Sequence, residues 1–149
     1  MPRDDLLIGR ASLPGHAYHV TACTDARRPV FRDLRCGRLL VAEMRVLNDN
    51  SAVASVAWVI MPDHLHWLFQ LGTILSLSQV MKQLKARSAL QINALLGRQG
   101  ALWQRGFHDH GIRAEEDLRA ISRYIVANPL RGGLVRRIGD YPLWDAIWV

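Results

Sequence analysis

Residues 52–71 hold the strongest constraint on the fold: the apolar run AVASVAWVIM, then Pro62-Asp63, then HLHWLFQL. Each run has the length of a strand. Proline fixes φ and cannot donate to a sheet ladder, so Met61-Pro62-Asp63 reads as a tight turn. The second run therefore returns antiparallel to the first. The first run is apolar on both alternations, the mark of a strand covered on both faces. The expectation is a β-hairpin at the centre of a layered structure.

The flanking segments extend this picture. HAYHVTACT (16–24) is rich in β-branched and aromatic residues and reads as a strand. DLRCGRLLVAEMRVL (33–47) reads as a helix, with Asp33 as its N-cap and Val41, Met44 and Leu47 at helical spacing. A long helix is expected over 76–96. Ser76 and Gln79 have capping-box spacing, and Val80, Leu84 and Ala94 or Leu95 offer a core stripe. GFHDHGIR (106–113) reads as a strand and AEEDLRAISRYIVAN (114–128) as a helix ended by Pro129. The order β-α-β-β-α-β-α predicts an α+β fold, a ferredoxin-like α/β sandwich around a central antiparallel sheet.

The chain of 149 residues reads as one domain, residues 1–149. Half of it is hydrophobic, and the mean hydropathy of +0.01 argues against a disordered chain. No apolar run reaches the length of a membrane span, and MPRDDLLIGR lacks the apolar centre of a signal peptide, so a cytoplasmic protein is expected. Cys23 and Cys36 fit no zinc spacing and read as reduced thiols. The nineteen basic against thirteen acidic residues give +6, and the pI is about 10.1. That excess suits a polyanionic partner such as nucleic acid. Only Lys82 and Lys85 are lysines; the rest of the basic residues are arginines, whose planar fork matches phosphate and stacks on bases.

Strand periodicity gives HLHWLFQL two faces. Leu65, Trp67, Phe69 and Leu71 share the one that should pack on helices; His64, His66, Leu68 and Gln70 share the other. The histidine Cα atoms would lie roughly 6.6 Å apart, close enough for two imidazoles to converge on one ion. The spacing fits a metal pair and equally fits two hydrogen-bonded structural residues. His108-Asp109-His110 is a second pair, lining the site or contacting substrate. Magnesium or manganese needs further oxygen ligands. Tyr124 and Asn128, four residues apart on the last helix, offer a hydroxyl and an amide oxygen on one face, although the same positions also read as the edge of a core stripe.

MPDHLHWLF, LKARSALQIN, LWQRGFHDHGIR and YIVANPLRGGLV, in this order and spacing, closely resemble the REP-associated tyrosine transposases, of the single-tyrosine HUH transposase superfamily. The resemblance runs from about His16 to Tyr141. It implies an HUH endonuclease type of fold, with His64, His66 and Asn128 as ligands of Mg2+ or Mn2+ and Tyr124 as the nucleophile. It also implies cleavage and rejoining of single-stranded DNA near hairpins of repetitive palindromes, through a 5′-phosphotyrosine intermediate, by a bacterial protein at the nucleoid. Candidates for DNA contact are Lys82, Lys85, Arg87, Arg105, His108, His110, Arg113 and Arg131, with Arg136 and Arg137 further on. The ending YPLWDAIWV departs from the family's usual Tyr-Pro-Trp-Ser, which leaves the role of a tail over about 136–149 open. A monomer with its tyrosine acting in cis is expected, with a dimer as the alternative. Two rival readings remain: a non-catalytic nucleic-acid-binding module, and a zinc hydrolase in which a metal-bound water attacks.

Overall fold

The computed structural model describes residues 12–113 and 116–147. Five antiparallel strands form one sheet in the order β4-β1-β3-β2-β5: β1 (Ala17–Cys23), β2 (Val53–Met61), β3 (His64–Leu71), β4 (His108–Gly111) and β5 (Trp144–Ala146). β2 and β3 are the expected hairpin, with Met61 opposite His64 across the Pro62-Asp63 turn.

Two helices cover one face of the sheet. α1 (Leu34–Asp49) begins where Asp33 accepts a hydrogen bond from the Arg35 backbone N–H. α2 (Leu77–Leu96) begins with the complete Ser76–Gln79 capping box and stops at Gly97, whose φ of 63° suits glycine. Between these helices and the sheet lies the larger core, built from Tyr18, Val20, Ala22, Leu65, Trp67, Phe69 and Leu71 of the strands with Leu40, Met44, Leu47, Val80, Met81, Leu84 and Ile92 of the helices. The buried stripe of α2 runs through Leu77, Val80, Met81, Leu84, Ser88 and Ile92; Ala94 and Leu95 are exposed, contrary to the stripe expected from spacing. Glu43 of α1, nearly buried, accepts from Arg87 Nε at 2.8 Å and from Gln91 Nε2, tying the two helices together.

The other face carries a smaller core of Val56, Ala57, Val59, Met61, Leu68 and Ile125. Here the helix expected over 114–128 is split. α3 (Leu118–Val126) starts at Asp117, which caps the Arg119 N–H, and a separate turn, α4 (Asn128–Arg131), follows after Ala127. Residues 114–115 lie outside the described residues. Pro129 does not end a helix but sits in the first turn of α4, where its missing N–H costs nothing.

β5 was not anticipated. It pairs with β2, Ala146 opposite Ala57 and Trp144 opposite Val59, and so draws the end of the chain into the sheet. Leu143 is buried beneath it, and the Tyr141 hydroxyl donates to the Ile60 carbonyl at 2.5 Å. Both thiols are free, and no helix among the described residues is long and apolar enough to cross a membrane.

Candidate active site

The alternation of β3 falls as expected. Leu65, Trp67 and Phe69 are fully buried in the large core, which turns His64 and His66 to the second face. Cross-strand register adds neighbours to that face: Cys23 lies opposite His64, Thr21 opposite His66, and on the next strand His110 lies opposite His19 and His108 opposite Thr21. The two pairs of histidines thus share one face, separated by β1.

Hydrogen bonds hold the two rings of the first pair at the same atom. His64 Nδ1 is 2.7 Å from Asp63 Oδ1. His66 Nδ1 lies 3.0 Å from His19 Nε2 and 3.1 Å from Thr21 Oγ1. With Nδ1 engaged in each case, Nε2 is the atom left on both rings for a ligand bond. The ring centroids are 4.9 Å apart and nearly perpendicular. Burial, with the charges of His64, His19 and Arg131 added, pushes the His66 pKa down to about 3, so this imidazole stays neutral and its nitrogen lone pair stays available at physiological pH. Burial first, and then His110, also lowers His19. Burial alone would raise the Asp63 carboxyl, but hydrogen bonds from His64 and Arg27 outweigh it and hold the group below its ordinary value.

α3 and the segment after it pack on this same face. Ile125 joins Met61, Val59 and Leu68 in the smaller core, and Arg131 lies near enough to His66 to help lower its pKa. The side-chain NH2 of Asn128 donates to the Ile125 carbonyl at 2.8 Å, which leaves Oδ1 as the side-chain atom that could accept a further bond. Tyr124 is 61% exposed, and its ring lies beneath the Arg131 guanidinium, 3.8 Å from carbon to centroid. Arg131 also donates to the Tyr124 carbonyl at 2.7 Å. Among the described residues there is no group of three or more His, Cys, Asp or Glu side chains that could hold an ion. The ligands expected from the sequence, His64, His66 and Asn128, would supply two imidazole nitrogens and one amide oxygen. With two nitrogens and one oxygen from the protein, a six-coordinate Mg2+ or Mn2+ ion would take its remaining ligands as oxygen from substrate or water.

The proposed DNA contacts are spread over the molecule. Lys82, Lys85 and Arg87 lie on α2, which covers the opposite face of the sheet from His64 and His66. Lys82 is exposed, Lys85 reaches the carbonyls of Gln104 at 2.9 Å and of Gly106, and Arg87 is held by Glu43. Arg105 and His108 are exposed. His110 and Arg113 both meet Glu116, at 3.1 and 3.5 Å. Arg136 and Arg137 are exposed, the latter 3.9 Å from Asp140. Of these candidates, Arg131 is the one whose charge acts on His66. Three residues that touch the histidine pair, and Arg27 behind Asp63, were not singled out from sequence: Asp63 read only as a turn residue, Arg27 only as a charge, and His19 and Thr21 only as strand. Period two in HAYHVTAC does carry a signal for the last two, because they alternate with the core residues Tyr18, Val20 and Ala22.

Fold and site together describe a basic α+β protein with a histidine-lined sheet face beside an exposed tyrosine. The chain belongs to a transposase family: the description Transposase IS200 like matches residues 12–128. It is 36% identical over 98 residues to a putative REP-associated tyrosine transposase of Haemophilus influenzae, covering 59% of this chain and 56% of that protein. It is 32% identical over 88 residues to the REP-associated tyrosine transposase of Escherichia coli K12, covering 58% and 50%. The matches thus span about half the length of these curated relatives. The fold resembles that of a REP-associated tyrosine transposase solved bound to a REP hairpin, with a TM-score of 0.73 and 23% identity, covering 91% of this chain and 79% of the other. It also resembles a putative transposase from Deinococcus radiodurans R1, with a TM-score of 0.55 and 25% identity, covering 78% and 93%.

Proposed function

We propose that this protein cuts and rejoins single-stranded DNA beside hairpins formed by palindromic repeats, acting in the cytoplasm at the nucleoid. One observation carries the reading: His64 and His66, each with Nδ1 already hydrogen-bonded, share the sheet face against which Ile125 packs, beside Tyr124 on the same helix. Family membership and the hairpin-bound neighbour supply the substrate class.

His64, His66 and Asn128 would hold Mg2+ or Mn2+, which when bound polarises the scissile phosphate and offsets charge that develops in the transition state. The Tyr124 hydroxyl attacks phosphorus and gives up its proton. The bond from phosphorus to the 3′ oxygen breaks, and that oxygen leaves as a free 3′-hydroxyl while the 5′-phosphate stays on Tyr124. Because one phosphoester replaces another, a second 3′-hydroxyl can reverse the step and join a new strand without a nucleotide cofactor. A tyrosine hydroxyl has a pKa near 10 and attacks poorly unaided, so its placement matters. Arg131 holds both its ring and its carbonyl, and the high exposure of that ring leaves room for a DNA backbone.

The test is a denaturing gel of the protein with a labelled hairpin-bearing single strand and manganese. A covalent adduct is expected, and none from Tyr124→Phe or His64→Ala. Cleavage that persists in Tyr124→Phe would instead mark a hydrolase, and binding without cleavage a passive module. We place Tyr124 in cis with its own histidines, so a mixture of Tyr124→Phe and His64→Ala chains should yield no adduct; an adduct from the mixture would establish a dimer with shared sites.

A further inference from the structure

Asp63 sits between two partners. Its Oδ1 meets His64 Nδ1 at 2.7 Å, and its Oδ2 accepts from Arg27 Nε at 2.8 Å. The main chain at this residue is anchored as well, since the Asp63 carbonyl accepts from the N–H of fully buried Thr24 at 2.9 Å. Arg27 reaches Asp63 from an unusual backbone. Ala26 and Arg27 have φ of 56° and 53°, left-handed values that residues with side chains rarely adopt. Two such residues in succession persist only where their surroundings hold them. Arg27 Nη1 further donates to Cys23 Sγ at 3.4 Å, and Cys23 is the cross-strand partner of His64.

The Arg27 side chain is 53% exposed and that of Asp63 26%, and a half-exposed ion pair contributes little to stability. A strained turn that delivers a weak ion pair is poorly explained by folding alone. Its geometric effect is definite. A carboxylate held on its far side by a guanidinium can only accept from an imidazole, so the His64 proton is kept on Nδ1 and the lone pair on Nε2. Histidines that bind metals commonly donate their other N–H to such a partner, which sets tautomer and ring orientation.

We propose that Arg27 and Asp63 are a positioning pair that locks His64 in its ligand tautomer, while the neutral partners Thr21 and His19 orient His66. The role of the pair rests on the reading of His64 as a metal ligand; the tautomer itself does not.

Two measurements on the full chain separate these levels. In metal-free protein with 15N-labelled histidine, the ring nitrogen shifts of His64 should report a protonated Nδ1 and a bare Nε2. Asp63→Ala should lose that preference, Asp63→Asn should keep it because the amide oxygen still accepts, and Arg27→Ala should weaken it. In a Mn2+ titration followed by electron paramagnetic resonance, Asp63→Ala should bind roughly 10–100-fold more weakly than the wild type, with Asp63→Asn and Arg27→Ala between them. Thermal unfolding of each variant provides the control, since a merely structural tie would move the melting temperature and leave the tautomer alone. A wild-type His64 protonated on Nε2, or an Asp63→Ala protein with unchanged tautomer and Mn2+ affinity, overturns the positioning pair while leaving the metal reading intact. A wild type that takes no Mn2+ overturns the metal reading, and the role of the pair with it.

Discussion

Tyr124 shows how much a single contact can ask of a residue. Its ring is mostly exposed, so little packing restrains it, and the Arg131 guanidinium above it is its main anchor. Such stacking at an exposed site is worth about 0.5–1 kcal/mol. Arg131→Ala should therefore slow adduct formation several-fold in a single-turnover assay without abolishing it. Arg131→Lys keeps the charge but loses the planar fork, and should recover little of the rate. Wild-type speed in the lysine variant would mean that charge alone matters. The His64/His66 pair was legible because alternation along HLHWLFQL needs no tertiary information. The partners of that pair were not. Asp63 and Arg27 meet across 36 residues, and no local pattern ties a turn aspartate to an arginine in a strained loop.

At the scale of elements, a close approach decides what the hairpin tolerates. Gly72, just past β3, has its N–H on the Ala52 carbonyl at 2.9 Å, and an added Cβ would meet the Ser51 carbonyl oxygen at 2.2 Å. Backbone cannot yield as a side chain can. Gly72→Ala should destabilise the fold by about 1–3 kcal/mol in urea unfolding, the range for forced overpacking; a change below a few tenths would show that the 51–52 turn is free to move. Element identity was readable where pattern was strong, as in β1, β2, β3, α1 and α2. It failed where tertiary pairing decides. β2 carries a bulge between Ser55 and Ala57, which shifts the face toward α1 and α2 from Val53 and Ser55 to Trp58 and Ile60. A run apolar on both alternations hides such a change of phase. β5 is three residues long and exists because β2 offers an edge, and α3 stops at Val126, two residues before the end at 128 that the proline suggested.

Across the whole molecule, the sheet divides labour between its faces: α1 and α2 seal the larger core on one, and the histidines share the other with the smaller core. That arrangement has a price in acid. Burial lowers both His19 and His66 from the ordinary 6.5, the latter to about 3. Below pH 6.5 the unfolded chain therefore binds protons that the fold refuses, so stability rises with pH there and is lost as the pH falls through that value. Urea unfolding from about pH 7.5 to about 5 should show this decline, and His66→Leu should flatten it; an equal slope in the variant would show that other groups dominate.

The same burial that keeps the His66 lone pair available sets this centre against the endurance of the chain that carries it. A chain with leucine at position 66, relieved of that buried imidazole, is expected to keep its fold to lower pH than the wild type. On the proposed reading of His66 as a ligand, the substitution that hardens the chain against acid would be the one that disarms it.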